Sequence, residues 1–187
     1  MLMLLSTMTT HNTSLPLYSA AQLRELDRLA IEEAGIPGYT LMTRAGEACW
    51  AVINQCWPGS HALSVFCGAG NNGGDGFVIA RLALQANWQV QVYQLGDVAR
   101  LPADARQARD ALTDAGGRVS DYVEGAAIDG DVVVDALLGT GVDRPVAGLW
   151  RSAIAAINAS ARPVLAVDIP SGLHSDTGAH AGVATVA

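Results

Sequence analysis

A glycine-rich stretch in the first half of the chain constrains the fold more than any other feature. Residues 68–76 read Gly-Ala-Gly-Asn-Asn-Gly-Gly-Asp-Gly, between an apolar run at 63–67 and a helix-like segment at 77–86. Five glycines in nine residues remove Cβ atoms that would hold a ligand off the backbone, and they permit positive φ. Because N–H groups at the start of a helix are unpaired, this strand–loop–helix order predicts an anion-binding loop.

Apolar runs and helical patterns alternate along the rest of the chain. Two amphipathic helices are predicted before the first strand, one capped by Ser19 with Gln22 at capping-box spacing and one over 40–56. Further strands are predicted over 88–94, 118–122, 131–136 and 163–168, and further helices over 102–115 and 146–158. Since runs such as 132–134 lack polar alternation, they are typical of parallel strands buried on both faces. The pattern predicts a Rossmann-like, doubly wound three-layer α/β sandwich with a mostly parallel sheet.

Composition excludes several classes of protein. The chain has 187 residues, half of them hydrophobic, which suits one domain with a full core. A net charge of -7 argues against a nucleic-acid surface, and no apolar run is long enough to span a membrane. The three cysteines form no C-x-x-C pair, which favours a reducing, cytoplasmic location over a disulfide framework or a zinc site. Residues 1–17 are predicted to be a flexible leader before a domain at 18–187.

Polar side chains follow three of the predicted strands. Besides the glycine-rich stretch, Asp135 ends one apolar run and Asp168 another, with Ser171 close behind. The carboxyl ends of parallel strands share one edge of a sheet, so these groups should converge there. An Asp135 carboxylate without a partner would be costly to bury, and it needs a cation or a proton. With Asn72 as a further oxygen donor, the set suits either a hard-cation site or an acid–base pair.

Each motif also has a purely structural interpretation. Asp135 and Asp168 could cap loops, and the glycine-rich stretch could be a tight turn without a ligand. Asp75 would oppose the charge of a phosphate and is equally suited to be a helix N-cap. Gly68, Gly70 and Gly73 satisfy G-x-G-x-x-G, but the acidic residue expected about 20 positions later is missing from 92–94. An ordinary NAD(P)-dependent dehydrogenase is therefore disfavoured.

Three segments together, 70–76, 134–141 and 167–172, resemble the NAD(P)H-hydrate epimerase family, whose domain is the YjeF N-terminal domain. The similarity extends from about Tyr18 over nearly the whole chain. It implies an isomerase for nicotinamide-cofactor repair. Such an enzyme interconverts the R and S forms of hydrated NADH and NADPH, NADHX and NADPHX, at C6 of the nicotinamide ring. An ADP- or ATP-dependent NAD(P)H-hydrate dehydratase, often fused to this domain in bacteria, is the implied functional partner.

The resemblance also implies roles for individual residues. The implied substrate-binding residues are Asn71, Asn72, Gly73, Gly74, Asp75, Gly139, Thr140, Gly141, Val142, Asp143, Arg144, Pro145 and Asp168. The implied cofactor is a potassium ion bound by Asn72, Asp135 and Ser171. Our chemical hypothesis makes Asp168 the first choice for the acid–base carboxyl group and Asp135 the second.

The chain departs from the family pattern at two places. His174 stands where family members often carry an acidic residue, and the family domain usually continues for a few strands beyond the position of Ala187. We therefore expect the domain to be truncated at its C-terminal end. The alternative function is a non-catalytic nucleotide-binding or scaffolding module of the same fold. The assembly state is left open, with a homo-oligomer as one option.

Overall fold

The computed structural model describes residues 17–141, 145–180 and 182–187. Within these ranges the α-helices are α1 (Ala20–Arg28), α2 (Gly38–Cys56), α3 (Asn71–Gln85), α4 (Ala103–Asp114) and α5 (Gly148–Ala159). The strands are β1 (Ala62–Cys67), β2 (Gln89–Gln94), β3 (Val119–Asp121), β4 (Val132–Ala136) and β5 (Val164–Ala166). Two helices precede the first strand, and the later strands and helices follow in the predicted order, with β3 leading to β4 without a helix between them.

The five strands form one parallel sheet in the order β3-β2-β1-β4-β5. From β1 the chain moves outward through β2 to β3, then returns to place β4 on the other side of β1. The strand order therefore reverses between β1 and β4. In such sheets the crevice beyond the carboxyl ends of the strands at this reversal is the usual place for a ligand.

Helices cover both faces of the sheet, as the predicted three-layer sandwich requires. On one face Val65 and Val134 pack with Phe77 of α3 and with side chains of α2 and α4. On the other face Phe66 and Val133 pack against α5. All five residues of β4 are buried, because successive side chains point to opposite faces of the sheet and helices cover both faces.

The N-terminal helix begins as predicted and packs differently. Ser19 and Gln22 form the reciprocal capping box, with the Ser19 N–H donating to Gln22 Oε1 at 2.9 Å. After Arg28 the helix continues as one π-helical turn, Leu29–Glu33. Leu23 and Leu26, on the apolar face of this amphipathic helix, are 39% and 46% exposed, so that face is only partly covered within the described chain. None of the helices described is long and apolar enough to cross a membrane.

Candidate active site

The helix after β1 starts six residues earlier than predicted. Gly70 is the N-cap of α3, and Asn71 is already helical, so only residues 68–70 form a connecting loop. Glycine is unfavourable inside a helix, which is why the sequence predicts a longer loop. None of the five glycines in this stretch has a positive φ. Four of them, all except Gly70, allow close approach instead: a Cβ atom on Gly73, for example, would overlap the carbonyl oxygen of Gly68.

Two glycines inside α3, Gly74 and Gly76, allow this helix to pack tightly on its neighbours. A Cβ atom on Gly74 would lie 2.6 Å from Cε of Met42 in α2, and one on Gly76 would lie 2.7 Å from Cβ of Ala136 in β4. Both glycines are buried. Tertiary packing therefore overrides the low helix propensity, and it brings the first turn of α3 to the edge of the sheet.

A cavity of about 1190 Å³ lies at the carboxyl ends of the strands, where the strand order reverses. From the first motif it is lined by Asn71, Asn72 and Asp75. From the segments that follow β4 and β5 it is lined by Gly139, Thr140, Gly141, Pro145 and Asp168. The predicted site residues thus come from three separate segments to one concave surface. Such a cavity is large enough for an extended small molecule.

Other implied residues are either absent from the lining of this cavity or outside the described part of the chain. Gly73 and Gly74 are buried in helix packing, and Val142, Asp143 and Arg144 lie outside the described residues. Asp135 and Ser171 are fully buried and are not among the lining residues. Direct contact between Asp135 and a molecule in the cavity is therefore disfavoured, and Asp168 remains the first choice for chemistry.

Asp135 is the centre of a buried hydrogen-bond cluster that joins β4 to the segment after β5. Its Oδ1 accepts from the Ser171 hydroxyl at 2.6 Å and the Leu137 N–H at 3.2 Å, and its Oδ2 accepts from the Ser171 N–H at 2.8 Å. The Leu138 N–H donates to Ser171 Oγ at 2.9 Å. Burial raises the pKa of Asp135, and the hydrogen bonds from Ser171 oppose that rise. No arginine of the described chain pairs with this carboxylate.

Asp168 lies at the rim of the cavity, just after β5. Its Oδ2 accepts a hydrogen bond from the Thr140 N–H at 2.8 Å. Gly139 allows this approach, because a Cβ atom there would lie 2.6 Å from the same oxygen. The carboxylate therefore orders the loop after β4. Its Oδ1 accepts no hydrogen bond from the described residues, so it is available to a ligand.

Asp75 is not the helix N-cap that the sequence suggests as an alternative, since Gly70 holds that position. It lies in the second turn of α3 and lines the cavity together with Asp168 and with Asp27 of α1. Burial, followed by the neighbouring charges of Asp168 and Asp27, raises the pKa of Asp75 to about 7. The cavity thus holds several carboxyl groups, of which Asp75 gains or loses its proton near neutral pH.

This raised pKa links stability to pH. The folded chain keeps a proton on Asp75 that the unfolded chain releases at about pH 4, so the free energy of unfolding falls from pH 4 to pH 7. We expect Asp75→Asn to exceed the parent in stability at pH 8 by up to about 4 kcal/mol, and to lose this advantage near pH 4. Urea unfolding at both pH values measures the difference. A pH-independent difference would contradict the assignment.

The side chain of Asn72 is unsatisfied among the described residues. Its amide nitrogen and oxygen are both buried, and neither has a hydrogen-bond partner in the described chain. A buried polar group without a partner is uncommon and costs free energy, so it points to an absent ligand or ion. Asn72 borders Gly139, whose Cβ position would lie 3.5 Å from the Asn72 Cβ atom. The amide is thus held near the loop that follows β4.

The cavity also includes residues that sequence reasoning missed. Arg24 of α1, Asp97 and Arg100 after β2, and Trp150 of α5 all line it. Asp97 is an acidic residue three residues beyond the end of β2, outside residues 92–94 where the dinucleotide pattern expects one. Because Asp97 lies in the turn and outside the strand, the sequence pattern did not identify it. No sequence pattern identified Arg24, because only folding brings α1 to this edge of the sheet.

Comparison with known proteins identifies relatives over most of the chain. A family model described as the N-terminus of YjeF-related proteins matches residues 38–187. The chain is 43% identical to a bifunctional NAD(P)H-hydrate repair enzyme of Coxiella burnetii, over 91% of this chain and 35% of that protein. It is 38% identical to an NAD(P)H-hydrate epimerase of Limosilactobacillus fermentum, over 90% of this chain and 81% of that protein.

A solved structure supports the fold. The crystal structure of the yeast protein ynu0 (YNL200c) superimposes with a TM-score of 0.79 at 22% sequence identity, covering 91% of this chain and 77% of that one. The Rossmann-like α/β architecture is therefore confirmed. The chain spans about a third of the length of the bifunctional relative and about four fifths of the epimerase. On the family match and these identities, the chain belongs to the family of YjeF-related protein N-termini.

Proposed function

We infer that this protein is an NAD(P)H-hydrate epimerase, an isomerase that interconverts the R and S forms of NADHX and NADPHX in nicotinamide-cofactor repair. The observation that carries this inference is the convergence of all three family motifs on one cavity at the reversal of strand order. Its support is the name of relatives such as the epimerase of Limosilactobacillus fermentum, which this chain matches over most of their length. The cavity volume of about 1190 Å³ suits a dinucleotide.

The carboxyl groups suit the chemistry of this reaction. Epimerisation at C6 requires the C6–O bond to break, with the hydroxyl leaving as water after it accepts a proton. The lone pair of the ring nitrogen stabilises the resulting cation, and water then adds to the opposite face and returns a proton. We assign the proton transfers to Asp168, whose Oδ1 is available. General acid–base assistance of this kind contributes about a hundred- to ten-thousand-fold in rate.

The surrounding charges favour the same intermediate. The ring becomes cationic when the hydroxyl leaves, and Asp168 and Asp27 both line the cavity. Fixed negative charge directed at a developing positive charge lowers the barrier without reorganisation of solvent. With its pKa raised to about 7, Asp75 also keeps a proton close to Asp168 at neutral pH. We also propose that the implied substrate-binding residues at 71–75 and 139–145 contact the substrate.

The test follows one purified epimer of NADHX by chromatography. With the protein present, we expect the R/S ratio to reach equilibrium faster than the spontaneous reaction allows. Binding without any acceleration would overturn the proposed function and favour a non-catalytic nucleotide-binding module. The carboxyl groups at the cavity weigh against that alternative, because a scaffold has no need for them.

A potassium ion is the second part of the proposal. The donor set consists of oxygens alone, as a hard cation prefers. The buried amide of Asn72 has no hydrogen-bond partner in the described chain. The buried carboxylate of Asp135 is hydrogen-bonded to Ser171 and has no cationic side chain beside it in the described chain. These three residues would hold the ion. When bound, it would neutralise Asp135 and tie the three motif segments together.

Ion binding predicts a cation-specific gain in stability. We expect KCl to raise the melting temperature above its value in LiCl of equal ionic strength, by about 2–4 °C for each kcal/mol of binding free energy. Asn72→Ala should remove this difference, because it deletes one donor. Asn54→Ala, on the exposed part of α2, is the matched control and should retain the difference. Equal melting temperatures for the parent in both salts would contradict the potassium site.

The partner and location belong to the same proposal. The bifunctional relatives support an ADP- or ATP-dependent dehydratase as the enzyme that consumes the S epimer, either fused to this domain or separate. A cytoplasmic location follows from the reducing environment that the cysteines favour. In the described chain Cys49, Cys56 and Cys67 are all free thiols. Homo-oligomerisation stays a prediction.

A further inference from the structure

The edge of the cavity beside β2 differs in charge from the edge that holds Asp168. After β2 the chain turns at Gly96, whose φ is +90°, and enters a short 3-10 turn over Val98–Arg100. Asp97 caps this turn, with its Oδ1 accepting from the Ala99 N–H at 2.9 Å. Asp97 and Arg100 both line the cavity.

Two features set the direction in which a dinucleotide lies in this cavity. The carboxyl group of Asp168, just after β5, suits the ring that becomes cationic, which would place the nicotinamide end beyond β4 and β5. The start of α3, at Gly70, offers unpaired N–H groups for the diphosphate. Since β2 lies on the other side of β1 from β4, an adenosine end in this orientation would lie over β2, towards the turn with Arg100.

Arg100 is available to a ligand. Its guanidinium pairs with no carboxylate of the described residues, and the residue is exposed at the cavity wall. Together with Arg24 it supplies the cationic side chains among the described lining residues, in a chain whose net charge is -7. Arginine binds phosphate through a planar fork of N–H donors.

In dinucleotide-binding folds, the turn after the second strand contacts the ribose of adenosine. An acidic residue there binds a free 2′-hydroxyl, whereas an arginine accommodates a 2′-phosphate. Here one carboxylate oxygen of Asp97 accepts a hydrogen bond from its own turn. Arg100 forms no salt bridge with the described residues. We propose that Arg100 binds the 2′-phosphate of the adenosine ribose and makes this protein favour NADPHX over NADHX. This inference rests on the proposed function.

The test uses adenosine 2′,5′-bisphosphate and adenosine 5′-monophosphate, with binding measured by titration calorimetry. We expect the parent to bind the bisphosphate more tightly. Arg100→Gln should weaken bisphosphate binding about tenfold and change monophosphate binding less than twofold. The matched control is Arg118→Gln, which removes the same charge just before β3, at the opposite edge of the sheet, and should leave both affinities unchanged.

A kinetic measurement separates this inference from the proposed function. Arg100→Gln should raise KM for NADPHX about tenfold with kcat unchanged, and leave KM for NADHX unchanged. Equal weakening of both adenosine nucleotides, or of neither, would overturn the role of Arg100 even if the parent epimerises both substrates. If the parent epimerises neither substrate, the proposed function fails, while the calorimetry still reports whether Arg100 recognises a 2′-phosphate.

Discussion

Replacement of Asp168 by asparagine should reduce the rate of epimerisation about a hundred- to ten-thousand-fold while the protein stays folded. An amide neither donates nor accepts the proton that must move to and from the oxygen on C6. Its oxygen can still accept the hydrogen bond from the Thr140 N–H, now 2.8 Å from the carboxylate, so the loop after β4 should keep its position. The rate of R/S exchange measures the first effect, and urea unfolding measures the second.

A matched variant controls for the loss of charge. Asp110 lies on the exposed side of α4, away from the cavity, so Asp110→Asn removes the same charge without touching the site. We expect this variant to retain the parental rate. Near-parental turnover of Asp168→Asn would exclude Asp168 as the acid–base group and transfer attention to Asp75, the neighbouring carboxyl group in the cavity.

Gly68→Ala should destabilise the protein by about 3 kcal/mol or more, enough to prevent folding in many domains of this size. A Cβ atom on Gly68 would overlap the carbonyl oxygen of Leu137 and would lie 2.9 Å from its carbonyl carbon. Both are backbone atoms of the segment that Asp135 and Ser171 hold in place, so neither can move freely. Urea denaturation of the parent and the variant measures the loss.

Gly70→Ala provides the control from the same turn. No atom lies within 4 Å of its Cβ position, and its φ of -121° is available to any residue. We expect a cost of about 1 kcal/mol or less, from the weaker N-cap. Similar losses for the two variants would show that the close contact between β1 and the segment after β4 does not limit stability.

Local patterns were sufficient to predict the elements. Apolar runs without alternation identified β1 and β4, and the capping pair Ser19 and Gln22 identified the start of α1, because burial and capping each leave a short-range signature. Polar residues at strand ends identified Asp135 and Asp168 as site candidates. Parallel strands have their carboxyl ends at one edge, so these positions could be grouped before the strand order was known.

Other features depend on contacts between distant segments. The start of α3 was misplaced because glycine disfavours helices in isolation, and only packing against Met42 and Ala136 reveals why Gly74 and Gly76 are helical. The raised pKa of Asp75 comes first from burial and then from the carboxylates of Asp168 and Asp27, which are far apart in sequence. Neither effect has a local signal.

The amino-acid sequence by itself determined the alternation of strands and helices, the family, and the three segments that carry polar groups, since each of these depends on neighbouring residues or on a motif. The tertiary structure alone decided that Asp135 is buried against Ser171 while Asp168 faces the cavity, and that Arg100 stands at the opposite end. Burial and distance are properties of the folded chain. They arise only when the strand order brings remote segments together.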